Sequence, residues 1–115
     1  MKLRLRGNTI RLRLLRAEVD RLSKGETIRE TLPTPEPFYF EVKPGAVTDL
    51  EAGFAANILS VAVPEEWAKG WAASDEVGRQ SPQGSAIEIL IEKDWACTTP
   101  RTGPDNVGTY PNPTV

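Results

Sequence analysis

The chain of 115 residues contains no histidine, only one cysteine and no long apolar run. The absence of histidine excludes Ser-His-Asp and Cys-His catalysis within this chain, together with any zinc site that mixes cysteine and histidine ligands. A general base would have to be a carboxylate, a lysine or a tyrosine with a shifted pKa. A bound metal would have to be a hard cation held by oxygen atoms. No cofactor is predicted.

The scarcity of cysteine and of apolar runs also bears on the compartment. A single cysteine, Cys97, cannot form an internal disulfide. No segment approaches the roughly 18 apolar residues of a membrane span, and the N-terminus alternates charge instead of resembling a signal peptide. With 39% apolar and 26% charged residues, the composition is ordinary for one globular domain. We therefore predict a single cytoplasmic domain without membrane association.

The charges are unevenly distributed along the chain. Residues 1–25 hold eight basic and two acidic side chains, whereas the remaining residues hold six basic and fourteen acidic ones. The formal charge of −2 therefore hides a strongly basic N-terminal part. This asymmetry indicates either an anionic partner or two parts of one fold that neutralise each other.

The clearest period-two pattern lies in Ala86–Trp95. It places Ile87, Ile89 and Ile91 on one face, which we predict to be buried in an interior strand. The opposite face carries Glu88, Leu90 and Glu92, and continued alternation puts Lys93, Trp95 and Cys97 on the buried side.

The first fourteen residues predict a β-hairpin. Leucines and isoleucine alternate with basic residues on both sides of Gly7-Asn8, a two-residue turn of the type with glycine first. The predicted cross-strand pairs are Arg6 with Thr9, Leu5 with Ile10, Arg4 with Arg11, Leu3 with Leu12 and Lys2 with Arg13. The apolar pairs then stack on one face, while the other face sets cation opposite cation twice, at a cost of about 0.2–1 kcal/mol per pair.

The rest of the chain predicts two helices and further strands. The helices are Leu15–Lys24, ended by Gly25, and a segment opened by Pro64, in which Trp67 and Trp71 lie on one side and are read as core. The strands are Thr27–Leu32, Phe38–Val42, Glu51–Phe54, Ile58–Val63 and Asp75–Gln80. No internal repeat is visible.

These elements predict an α+β fold: a mostly antiparallel sheet of about six or seven strands, able to curl into a barrel, with two helices. The predicted domain covers residues 1–97. Residues 98–115, rich in proline and glycine, form a predicted C-terminal tail.

Basic residues of the predicted hairpin form the first candidate site. Arg4, Arg6, Arg11 and Arg13, with Lys2 beside them, would suit a small anion or an acidic protein surface, because arginine contacts such groups in bidentate fashion. The alternative is a cross-strand ladder with Glu88 and Glu92. Nucleic acid is disfavoured as a partner, because the face lacks interleaved aromatic residues.

Three carboxylates near the end of the Ala86–Trp95 segment form a second, weaker candidate. Glu88, Glu92 and Asp94 could hold magnesium or calcium, although salt bridging is the simpler interpretation. Cys97 is interpreted as a buried apolar residue. Alternatively, Lys93 and Arg101 lower its pKa and make it a reactive thiolate.

Four segments near the two ends of the chain form a recognisable set: Met1–Leu14, Leu90–Cys97, Pro100-Arg101 and Tyr110–Pro113. Together they resemble a family of small, uncharacterised bacterial proteins. Thr9 stands where serine is usual in that family, and Trp95 and Tyr110 stand where phenylalanine is usual. The resemblance implies a single domain and no particular reaction.

The function expected from these features is non-enzymatic. The chain is predicted to be a small binding or interaction module whose basic N-terminal hairpin contacts an anionic ligand or partner. The alternative is a metal-dependent enzyme that acts on a phosphorylated small molecule, which would require the arginines and the carboxylates to line two sides of one cavity.

Overall fold

The structure of the protein, a computed structural model, describes residues 1–94. The elements are β1 (Lys2–Arg6), β2 (Thr9–Leu14), α1 (Arg16–Ser23), β3 (Ile28–Leu32), β4 (Phe38–Gly45), β5 (Glu51–Ala55), β6 (Ile58–Pro64), α2 (Glu65–Trp71), β7 (Gly78–Gln80) and β8 (Glu88–Lys93). The predicted boundary between domain and tail at residue 97 lies outside the described residues.

The N-terminal hairpin forms as predicted. β1 and β2 are antiparallel with the predicted register, from Lys2 opposite Arg13 to Arg6 opposite Thr9. Gly7 has a φ of +57°, which the first position of a glycine-first turn requires. Alternation of apolar and basic residues specifies this register, because a slip of one residue would turn the basic side chains towards the core.

The eight strands divide into two four-stranded sheets. The first sheet has the order β1-β2-β8-β7 and the second has the order β3-β4-β6-β5. In each sheet the outer pairs are antiparallel and the central pair, β2 with β8 or β4 with β6, is parallel. The predicted α+β class and the two helices are confirmed within residues 1–94. The single, mostly antiparallel sheet is replaced by two mixed sheets, and the described strands close no barrel.

The chain uses one arrangement twice. Each half consists of an antiparallel strand pair, a helix and a second antiparallel strand pair, and a shift of 49 residues converts β1 (Lys2–Arg6) into β5 (Glu51–Ala55). The same shift converts the pairing of Thr9 with Glu88 into that of Ile58 with Tyr39. The first pair of one half joins the last pair of the other half, so each sheet contains strands of both halves.

Equivalent positions of the two halves share burial but seldom identity, which explains why the sequence shows no repeat. Their most deeply buried residues include the equivalent pairs Leu12 and Val61, Leu14 and Val63, Val19 and Ala68, Leu22 and Trp71, and Ile91 and Val42. The repeat departs from this spacing at β3 and β7, which differ in length. Its halves share one hydrophobic core.

The two helices contact each other and fill this core. Trp71 is fully buried and stacks on the partly buried Trp67, with ring centroids 4.6 Å apart, as expected for core packing. In α1, Val19 and Leu22 are buried, but Leu15 is 52% exposed. Leu15 has an extended backbone and precedes the first helical turn, so it does not share the buried side of the helix. None of the helices within residues 1–94 is long and apolar enough to cross a membrane.

The Ala86–Trp95 segment is confirmed as an interior strand, with one correction. Ile89 and Ile91 are buried, whereas Ile87 is 43% exposed. The parallel ladder with β2 begins at the pair Thr9 and Glu88, so Ile87 lies before the paired strand. Trp95 and Cys97 lie outside the described residues.

Candidate anion-binding face

The predicted basic residues lie on the outer face of the first sheet, the face opposite its buried leucines and isoleucines. Alternation in β1, β2 and β8 brings five cations and three carboxylates to this face. They are Lys2, Arg4, Arg6, Arg11 and Arg13, with Glu88, Glu92 and Asp94.

Glu92 is the centre of an ion cluster on this face. Its Oε1 accepts hydrogen bonds from Nε and Nη2 of Arg11, at 3.0 and 2.6 Å, and from Nε of Arg13, at 2.9 Å. The Glu92 side chain is only 14% exposed, whereas the two arginines are 33% and 40% exposed. Burial alone would raise the pKa of Glu92, but hydrogen bonds from Arg13 and Arg11 outweigh it and lower that pKa.

A glycine lies beside this cluster. Gly78 of β7 pairs with Glu92 of β8. A Cβ at residue 78 would lie 2.9 Å from the Cβ of Glu92 and would also collide with the carbonyl oxygen of Ile91. Only glycine therefore lets β7 approach β8 closely at the position that carries Glu92.

The remaining charges of the face are unequally compensated. Asp94 lies 3.2 Å from Nζ of Lys2 and 3.9 Å from Nη1 of Arg13. Within residues 1–94, the exposed side chains of Arg4 and Arg6 have no carboxylate partner. Glu88 has no cationic partner within the same residues. The predicted ladder therefore forms through Glu92 but not through Glu88.

The three carboxylates proposed as metal ligands do not converge. Within residues 1–94, no group of three or more acidic or cysteine side chains is placed to hold a metal ion. Glu92 instead binds two arginines and Asp94 contacts Lys2 and Arg13, whereas Glu88 is exposed at the start of β8.

Lys93 contacts the core near the end of α2. Its Nζ donates a hydrogen bond of 2.7 Å to the carbonyl oxygen of Ser74 and lies 5.9 Å from the centroid of the Trp71 ring. Cys97 and Arg101, the other members of the proposed thiolate site, lie outside the described residues.

Sequence reasoning missed a second ion cluster, on the outer face of the second sheet. Glu41 is 5% exposed, and its Oε1 accepts hydrogen bonds from Nε and Nη2 of Arg29 at 2.9 and 2.7 Å. Its Oε2 accepts one from Oγ of Ser60 at 2.7 Å, and Nζ of Lys43 lies 3.7 Å away. Burial would raise the pKa of Glu41, but these partners lower it. The sequence contains one sign of this cluster: the charged residue Glu41 lies between Phe40 and Val42 in an inner strand.

The N-terminal amino group was also missed. It donates hydrogen bonds to Oε2 of Glu18 in α1, at 2.8 Å, and to Oε2 of Glu30 in β3, at 2.6 Å. Burial would lower its pKa, but both carboxylates outweigh this effect and raise the pKa above 8.0. These contacts tie the start of β1 to a helix and to the second sheet.

A cavity lies away from the arginines, at the carboxyl ends of β2 and β8. Its volume is about 660 Å³, and it lies between the start of α1 and the segment that follows α2. Leu14, Leu15, Val19 and Ala72 supply its apolar lining. The arginines of the basic face do not line it.

Comparison with known proteins gives one result. The chain belongs to a family of unknown function, DUF7009, whose model matches residues 1–114. This confirms the expected membership of a family without an assigned function. No curated protein and no solved structure matches the chain.

Proposed function

We propose that this chain is a non-enzymatic binding module that contacts an anionic group through the outer face of its first sheet. Arg4 and Arg6 supply the uncompensated charge. The proposal rests on the unequal compensation across this face: Glu92 and Asp94 neutralise the cations at one end, and the two exposed arginines near the Gly7-Asn8 turn have no carboxylate partner within residues 1–94.

The ion cluster supports this role by positioning arginines next to Arg4 and Arg6. Arg4 lies directly opposite Arg11 in the β1–β2 ladder, and Arg11 is held by two hydrogen bonds from its guanidinium to Glu92. A guanidinium that is already fixed loses less conformational entropy when a ligand approaches. The face thus combines two exposed arginines with a fixed one beside them.

The chemistry of the face favours a phosphate group or a carboxylate-rich protein surface over nucleic acid. Arginine binds both groups in bidentate geometry. Aromatic side chains, on which nucleobases would stack, are absent from the outer face of β1, β2 and β8. The resemblance noted above supports a bacterial protein, and the single cysteine supports a cytoplasmic one. We propose no cofactor for this binding function.

The alternative of a metal-dependent enzyme has no observation in its favour. It requires arginines and metal-binding carboxylates on opposite sides of a cavity. On the described face, Glu92 contacts Arg11 and Arg13 directly. We therefore put forward the binding function alone.

The test measures stabilisation by inorganic phosphate and by a short polyglutamate peptide at matched ionic strength. A ligand that binds the native state raises the melting temperature. We expect Arg4→Gln combined with Arg6→Gln to weaken both responses about tenfold or more. The matched control is Lys24→Gln with Lys69→Gln, which removes the same charge from exposed side chains on the helical side of the molecule and should preserve the responses.

Two results would contradict the proposal. One is a wild-type protein whose melting temperature responds to neither probe. The other is an equal loss of response in the arginine and the lysine variants, which would show that only net charge matters.

A further inference from the structure

The two sheets have four edge strands, and three of them oppose pairing with a second copy of themselves. Antiparallel self-pairing about the middle of β1 would set Arg4 against Arg4 and Lys2 against Arg6. Self-pairing about the middle of β3 would set Glu30 against Glu30. Like charges directly opposite each other destabilise a sheet. The third of these edges, β7, has only three residues, which leaves little backbone for pairing.

β5, with the sequence Glu-Ala-Gly-Phe-Ala, has one charged residue, Glu51 at its start, and none at its centre. It has no lysine, arginine or proline, and Gly53 stands at its centre. Natural sheet edges are usually protected by such charges, by proline or by short length. Within residues 1–94, β5 pairs only with β6, so its other edge presents unpaired backbone groups.

An apolar surface lies next to this edge. Phe54 is 63% exposed, the highest value among the large apolar side chains of residues 1–94, and its ring lies 6.1 Å from that of Phe38. Leu32, which pairs with Phe38, is 53% exposed. The edge therefore combines unpaired hydrogen-bonding groups with exposed aromatic surface on one face of the second sheet.

We propose that β5 is the interface at which two copies of this chain pair, antiparallel about Gly53, to form a continuous eight-stranded sheet. In this register Glu51 lies opposite Ala55 of the other copy, so no like charges meet. Ala52 lies opposite Phe54, so each exposed aromatic ring has a small residue to cover. Among the four edges, only β5 is long enough and self-complementary in this way.

Position 53 offers a direct test, because an added Cβ there would meet no atom within 4 Å. Gly53→Arg introduces at β5 the residue that β1 has at the equivalent position, Arg4. Gly53→Glu introduces the opposite charge at the same place. In both variants the like charges of two copies would face each other across the proposed axis.

The experiment is sedimentation velocity over a range of protein concentrations, with melting curves to verify folding. We expect wild type to reach a mass twice that of the 12.7 kDa chain. Each variant alone should remain monomeric at concentrations at which wild type is dimeric. An equimolar mixture of the two variants should dimerise again, because arginine then faces glutamate.

Three outcomes would overturn the proposal: a wild-type chain that stays monomeric at high concentration, a Gly53→Arg variant that dimerises like wild type, or a mixture that fails to associate although both variants fold. The second outcome would place any dimer interface elsewhere. Lys24→Gln serves as the control, since it alters an exposed charge outside the edge strands and should not change the wild-type mass.

Discussion

The two halves of this protein have the same backbone arrangement and nearly the same buried positions, but their surfaces differ. Arg4 in β1 and Gly53 in β5 are equivalent, as are Arg11 and Ser60 in the next strands. The first sheet thereby carries an excess of cations on its outer face. The outer face of the second sheet pairs Arg29 and Lys43 with the buried Glu41 and has several small residues. The arrangement requires apolar residues at fixed positions and leaves the outer faces free to acquire different roles.

The largest expected effects test whether the two halves form one cooperative unit. Leu14 and Val63 are equivalent and fully buried. We expect Leu14→Ala to lower the free energy of unfolding by about 2–5 kcal/mol, through lost transfer energy and a cavity. Val63→Ala should cost about two-thirds as much, because it removes two carbons where the leucine change removes three.

The measurement is urea unfolding followed by tryptophan fluorescence and by far-ultraviolet circular dichroism. Coincident transitions in both variants would indicate that the halves unfold together. Leu5→Ala is the control, since Leu5 is 57% exposed and its loss should change stability by only about 0.5 kcal/mol. Two separated transitions would show that the halves are independent units, against the shared core.

Sequence reasoning predicted the local parts of this fold well. The hairpin register follows from an alternating pattern and a two-residue turn, and both involve residues that are close in sequence. The parallel pairings of β2 with β8 and of β4 with β6 join distant segments, and no pattern in either strand names its partner. For this reason the division into two sheets and the repeat were not predicted.

The same limit applies to the candidate site. A ladder of arginines and glutamates was one of two alternatives for the basic face. Only the parallel register shows that Glu92 lies opposite Arg13, while Glu88 lies opposite Thr9. The Glu41 cluster was missed because Arg29 and Ser60 reach it from two neighbouring strands. Such a convergence depends on strand order, which the sequence pattern does not state.

The second prediction compares the ion clusters of the two sheets. Glu92→Gln and Glu41→Gln should each lower the free energy of unfolding by about 1–3 kcal/mol, because each weakens several charge-assisted hydrogen bonds. Added phosphate should recover more of the loss in Glu92→Gln, since five cations then remain on its face. Equal recovery in both variants, measured by thermal unfolding, would contradict the proposed anion-binding face.

Acid titration gives an independent measure of the same clusters. Both glutamates have a folded-state pKa below the ordinary value of 4.5. Their contribution to stability is therefore complete above that value and is lost as the pH falls through the folded-state pKa. Each glutamine variant should lose less stability than wild type between pH 7 and acid, and an unchanged slope would show that the carboxylate contributes little.

The smallest expected effect concerns the two equivalent turns. Gly7 opens the turn of the first hairpin, and Ala56 holds the same place in the second with a φ of +52°, followed by Asn57 at +62°. The left-handed conformation costs an L-residue about 1–2 kcal/mol, whereas glycine adopts it freely. Part of any gain from glycine is offset by its greater freedom in the unfolded chain, about 0.4–1 kcal/mol.

We therefore expect Ala56→Gly to raise the free energy of unfolding by up to about 1 kcal/mol and Gly7→Ala to lower it by a similar amount. An added Cβ at residue 7 would meet no atom within 4 Å, so the penalty there comes from the backbone conformation alone. Combining both changes should leave the stability near that of wild type, because the two turns lie in different sheets and should act additively. Urea unfolding of the four proteins measures this directly. A Gly7→Ala variant as stable as wild type would show that the turns are not equivalent in energy, although they occupy equivalent positions in the repeat.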